Sequence, residues 1–397
     1  MTTNKLFRPQ TNASRLWVAA GELWPPFCNQ MIIEGDGSIE LSELRRAVEE
    51  ASSLNPGSRL ILKNSLLHER WIDSEETPPV RVVDGSAWSG YNMNGAPFLG
   101  DRLDIRSGPS CEVLLVTGSK FRICFRTHHA VMDGRGTSTW AEDVFRVLRD
   151  EKPAGSEYTT TENELLNLQK KSQNEAPERY ILPLENPGEG KGFTWFRKKI
   201  TGRFRELLPS VMMLAASEAW RYSDGKVRIA IPIDLRNRKE GLRSTANLTN
   251  AIFFNIDKNT TPAELGNQIK RRIHDRIDGI LTWEDHILKF VPGFILKSAL
   301  SREAASTRQT GLYRISAVIS NMGRIPLENF TTPAFNPESI FFVPPGNELA
   351  PVFIGIHGTD TGIEIFLTVP AGHDICNRAE EFLERLSAGL KSQCVET

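Results

Sequence analysis

Two adjacent histidines, His128 and His129, are followed after three residues by Asp133 and Gly134. Imidazole, with an unperturbed pKa of about 6.5, is the side chain best suited to accepting a proton near neutral pH. Consecutive residues of a strand point to opposite sides, so one histidine can face a cleft while the other packs inward. A carboxylate four residues past His129, in a turn completed by glycine, can brace the loop by pairing with a cation from elsewhere in the chain. The spacing points to proton transfer by one histidine and an architectural role for Asp133.

The flanking patterns say how these residues are held. An alternating apolar run over 121–127 leads into the histidines. A helical pattern over 137–149 follows, with Trp140, Val144, Phe145 and Leu148 on one face. Loops at such junctions present side chains for chemistry, and the helix N-terminus adds oriented N–H donors. Residues 111–117, separated from 121–127 by Gly118-Ser-Lys, predict an antiparallel hairpin.

Further out, 39–54 has the three-and-four spacing of an amphipathic helix closed by Asn55-Pro-Gly. Short strands are predicted over 59–63, 68–73 and 80–83, and a loop over 88–100. Between 150 and 191 the composition turns to Glu, Lys, Asn, Thr, Pro and Gly, with a short helix around 161–171. This divides the chain into a first lobe over 1–155, a crossover over 156–195 and a second lobe over 196–397. The second lobe reads as a helix over 204–221, a strand over 227–233 running into Asp234-Leu-Arg236-Asn-Arg238, and a strand over 251–256. A helix over 262–277 follows, with Thr261 as N-cap and Glu264 completing a capping box. A helical stretch over 283–300 is split by Pro292-Gly293. A strand over 313–319 ends in a Ser320-Asn-Met-Gly323 turn, and another strand covers 339–343. A hairpin joins 352–357 to 363–369, and a helix over 375–390 closes an α+β pattern.

Composition narrows the function classes. Lys+Arg 48 against Asp+Glu 49 removes the bulk electrostatic case for nucleic acid or a membrane surface as partner. The first ten residues contain no apolar signal core, and no run approaches the roughly 18 apolar residues of a membrane span, so the expected location is cytoplasmic. The five cysteines, Cys28, Cys111, Cys124, Cys376 and Cys394, form no C-x-x-C. Neither a disulfide framework nor a metal site is expected.

The segment His128-His129-Ala-Val-Met-Asp133-Gly134 carries HHxxxDG, the hallmark of the CoA-dependent acyltransferase superfamily, and the chain resembles that superfamily. Its members include chloramphenicol acetyltransferases, plant BAHD acyltransferases and nonribosomal peptide condensation domains. The resemblance implies two chloramphenicol-acetyltransferase-like lobes, each a mostly antiparallel sheet with helices, and a tunnel between them. It implies transfer of an acyl group from a thioester to a hydroxyl or amine, with a setting in specialised metabolism. His129 would be the general base, and His128 its packed and orienting neighbour. Asp133 would form a structural ion pair with an arginine of the later lobe, Arg236 first and Arg238 as the alternative. Gly134 would leave room for substrate, and Ser320 or Asn321 would donate a hydrogen bond to the substrate or oxyanion.

No resident cofactor is implied; acyl-CoA or acyl-phosphopantetheine is the donor substrate. The partners are a small-molecule acceptor and, as a further case, an acyl- or peptidyl-carrier protein. Lys198-Lys199 and Arg271-Arg272 are candidates for CoA phosphates or an acidic carrier. Two other readings belong to the same resemblance. One is a free-standing condensation-type protein joining carrier-bound substrates through an amide or ester; the other is a non-catalytic relative that binds a carrier. The Asp-Phe-Gly-Trp-Gly segment of plant members is absent.

Overall fold

The computed structural model describes residues 7–64, 69–166, 178–184, 192–276, 290–371 and 373–395. Its first half contains β1 (Phe7–Pro9), α1 (Asn12–Leu23), β2 (Cys28–Gly37), α2 (Leu41–Leu54), β3 (Leu60–Asn64), β4 (Glu69–Asp73) and β5 (Val80–Asp84). Then come β6 (Cys111–Thr117), β7 (Phe121–His128), α3 (Gly134–Leu148) and α4 (Glu162–Leu165). The second half adds β8 (Phe193–Thr201), β9 (Arg203–Phe204), α5 (Leu207–Tyr222), β10 (Val227–Asp234), β11 (Thr249–Ile256) and α6 (Pro262–His274). It ends with α7 (Gly293–Thr310), β12 (Ala317–Arg324), β13 (Phe335–Val343), β14 (Phe353–Gly358), β15 (Gly362–Pro370), α8 (His373–Lys391) and β16 (Cys394–Val395).

The histidine-bearing strand β7 lies in a five-stranded sheet of order β13-β2-β7-β6-β5, antiparallel except between β5 and β6. Period-two alternation along β7 serves two cores at once. Ile123 and Phe125 face Leu44 and Val48 of α2 and Trp140, Val144 and Phe145 of α3. Cys124 faces the opposite side, with Ile32, Trp88 and Leu114. Phe125 and Trp140 meet edge-to-face at 5.3 Å. Burial of each such side chain is worth roughly 1.5–3 kcal/mol, so the hairpin and α3 are held as one block.

The second sheet has the order β11-β10-β12-β14-β15-β8, with parallel pairing of β12 to both β10 and β14 and antiparallel pairing elsewhere. Its core packs Val211 and Met212 of α5, Leu265 of α6, and Phe382 and Leu386 of α8 against the sheet's inner residues. Two mostly antiparallel sheets, each with its own helices, make a two-lobed α+β fold. One strand crosses the division expected at 156–195: β13, from the second half, pairs with β2 from Phe335↔Gly37 to Val343↔Gln30.

Aromatic rings and a buried polar cluster join the sheets. Trp88, Trp195, Phe341 and Phe366 share one core. Beside them Arg197 of β8 binds Glu364 of β15 with both arms of its fork, Glu34 of β2 at 2.9 Å, and Ser339 of β13. Arg122 of β7 also binds Glu34, at 3.1 Å. Each charge in this cluster is matched, as burial requires.

Several expectations are corrected by the structure. The helix expected from Thr137 begins at Gly134, because Asp133 caps it by accepting the Gly136 N–H at 2.7 Å. The strand expected over 313–319 begins at Ala317 and continues through Ser320-Asn-Met-Gly323, which is therefore strand and not a terminal turn. Parallel pairing with β14 extends from Val318↔Phe353 to Asn321↔Ile356, and an irregularity before Arg324 absorbs Gly323 at φ +69°. The sequence reading assigns no element to residues 7–37, where β1, α1 and β2 lie. Parts of the predicted elements at 68, 161–171, 262–277 and 283–300 fall outside the described residues. No helix among the described residues is long and apolar enough to cross a membrane.

Candidate active site

Strand β7 ends at His128, opposite Cys28 of β2. His128 is 4% exposed, its Nδ1 accepts the Ala130 N–H at 3.2 Å, and its ring lies 6.1 Å from Phe27. Gly21 of α1 sits against it: a Cβ there would lie 2.5 Å from His128 Nε2, so a side chain at position 21 would displace the imidazole.

His129 is partly exposed. Its N–H donates to the Phe27 carbonyl at 3.1 Å, and its carbonyl accepts from Asn247 Nδ2 at 2.7 Å. The ring lies 5.2 Å from Trp17 and 5.7 Å from Phe27. Trp17 and Gly21 are four residues apart and share a face of α1, so one helical face meets both histidines. His129 Nδ1 is buried without a hydrogen-bond partner among the described residues.

Asp133 ties the lobes together. Arg236, just past β10, grips it with both fork nitrogens, Nη2 to Oδ1 at 2.9 Å and Nη1 to Oδ2 at 3.0 Å. Asp133 also accepts the N–H groups of Gly136 and Leu248 and the Thr249 hydroxyl, at 2.7, 2.8 and 2.9 Å. Arg236 in turn donates to the Ser244 carbonyl at 2.9 Å and to Asp234 at 2.9 Å. Desolvation alone would raise the Asp133 pKa; the adjacent guanidinium and these donors outweigh it and hold the carboxyl below its usual range. Asp133 thus has no free oxygen for chemistry. Gly136 lets the 244–249 segment close over α3, since a Cβ there would lie 2.3 Å from the Thr245 carbonyl oxygen.

Burial pushes His128 down to about 3, with His129 adding to the effect, and His129 down to about 4, where the field of Asp133 opposes the shift. His357, buried beside Arg197 and Lys199, is likewise pushed to about 4. All three are neutral at pH 7 in the folded chain, whereas unfolded histidines titrate near 6.5. As pH falls below about 6.5 the unfolded state takes up protons first, so stability is complete above that value and is lost toward pH 4. The free energy of unfolding is expected to fall by roughly 3 kcal/mol per pH unit between pH 6 and pH 4.5, about 1 kcal/mol from each histidine, and the denaturant midpoint to fall with it. A midpoint level over that range would contradict the buried neutral histidines.

The remaining sequence candidates are placed as follows. Beside Gly134 a Cβ would lie 3.2 Å from Met322 Cε and 3.8 Å from Phe342 Cδ1, so these side chains occupy the space expected for substrate. Asn321 is exposed and its Oδ1 accepts the Gly323 N–H at 2.9 Å; Ser320 is half-buried. Among the described residues neither hydrogen-bonds to the histidine loop, which Met322 reaches by accepting from Arg135 at 2.6 Å. Arg238 binds the Leu165 carbonyl at 3.0 Å, away from Asp133. Lys198 pairs with Glu384, and Lys199 lies 3.5 Å from Glu364. Sequence reasoning missed Trp17, Gly21, Phe27 and Asn247. The signals for α1 were present: Thr11 caps it by accepting the Ser14 N–H at 3.1 Å, ahead of a buried Val18-Ala-Ala-Gly21 stretch. Asn247 had no local signal. Two hollows, of about 20 and 30 Å³, border Trp17 and Phe27 respectively.

The two mostly antiparallel lobes have the fold of condensation domains. The first condensation domain of the calcium-dependent antibiotic synthetase, solved with a substrate analogue, is similar with a TM-score of 0.68 and 12% identity, covering 99% of this chain and 98% of that one. The starter condensation domain of rhizomide synthetase RzmA, solved as a double mutant with C8-CoA and Leu-SNAC, matches with a TM-score of 0.64 and 13% identity over 98% of this chain and 95% of that chain. The condensation domain of the monacolin K polyketide synthase MokA gives 0.62 and 11%, with 98% of each chain covered. No protein-family model and no curated protein matches the sequence.

Proposed function

We propose that the chain is an acyltransferase moving an acyl group from a thioester, carried on CoA or on protein-bound phosphopantetheine, to a hydroxyl or amine. The observation that carries this reading is the placement of His129: partly exposed just past β7, between Trp17 and Phe27, in a loop locked by Asp133 and Arg236. Nε2 would take the proton of the acceptor O–H or N–H as that atom attacks the thioester carbon. The new C–O or C–N bond forms, the C–S bond breaks, and the imidazolium returns the proton to the leaving thiolate. A low pKa secures the free lone pair but weakens it as a base. The Asp133 carboxylate offsets this by stabilising the imidazolium as it forms.

Likeness to condensation domains supports a carrier protein as an alternative donor, and the RzmA structure with C8-CoA and Leu-SNAC supports thioester substrates. A cytoplasmic setting in specialised metabolism agrees with both. The test is a mass-spectrometric screen of acyl-CoA and acyl-carrier-protein donors against small alcohols and amines. An ester or amide whose formation depends on His129 is expected. Carrier binding without product from any pair would replace this reading with that of a non-catalytic carrier-binding protein.

A further inference from the structure

The loop between β7 and α3 is shaped by side chains that donate to its carbonyls. Arg8 Nη2 donates to the Val131 carbonyl at 2.9 Å and Asn29 Nδ2 to the Met132 carbonyl at 2.7 Å, and both donors come from the first lobe. The His129 carbonyl is held differently: its donor is Asn247 Nδ2 at 2.7 Å, from the second lobe and 118 positions away. On the other side of the same residue the His129 N–H meets the Phe27 carbonyl of the first lobe at 3.1 Å. The backbone of His129 is therefore clamped from both sides of the seam.

Asn247 is presented from an anchored segment. Its neighbours Leu248 and Thr249 bond Asp133 Oδ2 through an N–H and a hydroxyl, at 2.8 and 2.9 Å, so three consecutive residues grip both ends of 129–133. Upstream, Arg236 donates to the Ser244 and Ala246 carbonyls, and the Ser244 hydroxyl accepts the Ala246 N–H at 3.2 Å. A histidine that acts as a base is ordinarily oriented by a hydrogen bond to its second ring nitrogen. His129 Nδ1 is buried and has no such bond among the described residues. Its ring direction is left to the Trp17 and Phe27 rings and to the two backbone bonds.

We propose that Asn247 is a positioning residue for His129: by holding the His129 carbonyl from the second lobe it sets where the imidazole points, and it makes the base competent only while the two lobes are closed on each other. The role of His129 as base rests on the acyl-transfer reading above. Parting of the lobes at this seam breaks the Asn247 bond and frees the loop at its base end, while Arg8 and Asn29 still hold Val131 and Met132. Misplacing a reacting group by about 1 Å costs up to roughly 10²-fold in rate, which sets the scale of the effect.

The test compares Asn247→Ala with Asn247→Asp, which keeps the shape of the side chain and removes the donor. Asn247 is half-buried and loses one hydrogen bond, so Tm should stay within about 4 °C of wild type in both. Both are expected to lower kcat by about 10- to 100-fold and to leave KM within about threefold. A second readout needs no substrate: the histidine resonances of the intact protein, labelled with ¹³C-histidine, are followed by NMR against pH, with His129 assigned from His129→Gln. In the wild type His129, beside Asp133 and His128, titrates near 4. In Asn247→Ala the released ring gains water and is expected to titrate at least about one pH unit higher, with His357 unmoved. A wild-type kcat in either folded variant, a defect confined to KM, or an unmoved His129 titration would each overturn the assignment. Because the titration is read without chemistry, failure of this positioning role and failure of acyl transfer are separately visible.

Discussion

Replacing His129 with alanine is expected to lower turnover by roughly 10²–10⁴-fold while the chain stays folded. The ring is partly exposed, and its Nδ1 makes no full hydrogen bond, so its removal opens no buried charge and leaves few unsatisfied groups. The wedge it forms between Trp17 and Phe27 is lost, and Tm should stay within about 5 °C of wild type. His129→Gln preserves more of that wedge and removes the base, so it should share the kinetic defect with a smaller change in Tm. For the wild type, the neutral state of His129 predicts a rate that is level from about pH 6 to pH 8. Initial rates of product formation by mass spectrometry, beside melting curves, separate the two effects. Transfer at the wild-type rate by a folded His129→Ala protein would remove His129 as the base.

Arg236→Ala is expected to destabilise the fold by about 3–5 kcal/mol, because it leaves Asp133 charged and enclosed without its cation. The remaining partners, the N–H groups of Gly136 and Leu248 and the Thr249 hydroxyl, cannot neutralise it. The effect should be visible as a lowered denaturant midpoint and as slower transfer, since the same pair joins the histidine loop to β10 and β11. A double replacement, Asp133→Leu with Arg236→Met, leaves no orphaned charge. It is expected to recover part of the stability without recovering activity, because the cap of α3 and the alignment of the loop go with Asp133. A midpoint unchanged in Arg236→Ala would mean that the ion pair contributes nothing to the seam between the lobes.

What could be read from the chain alone was whatever neighbouring residues encode. Alternation over 121–127 gave β7, the spacing of Trp140, Val144 and Phe145 gave α3, and Thr261 with Glu264 gave the cap of α6, whose reciprocal bonds measure 2.9 and 3.3 Å. The histidine pair, Asp133 and the Asp-Leu-Arg segment stood out for the same reason: each is a short pattern complete within a few positions. In α1 the local pattern is interrupted, because Gly21 within it reads as a break.

The folded chain decided the rest. The resemblance to the acyltransferase superfamily made Arg236 the first choice for Asp133, but only a contact across 103 positions joins them, and the same fold sends Arg238 elsewhere. Trp17 and Phe27 flank His129 because α1 and the start of β2 pack over the end of β7. β13 leaves its neighbours in sequence to complete the first sheet. Arg8 reaches the histidine loop across 123 positions and becomes a buried cation there. The physical reason is common to these cases. Strand rhythm, helix rhythm and caps arise from residues a few positions apart, whereas burial, ion pairing and the basicity of His129 depend on which distant segments exclude water from a given atom, and that is set when the two sheets and their helices close on one another.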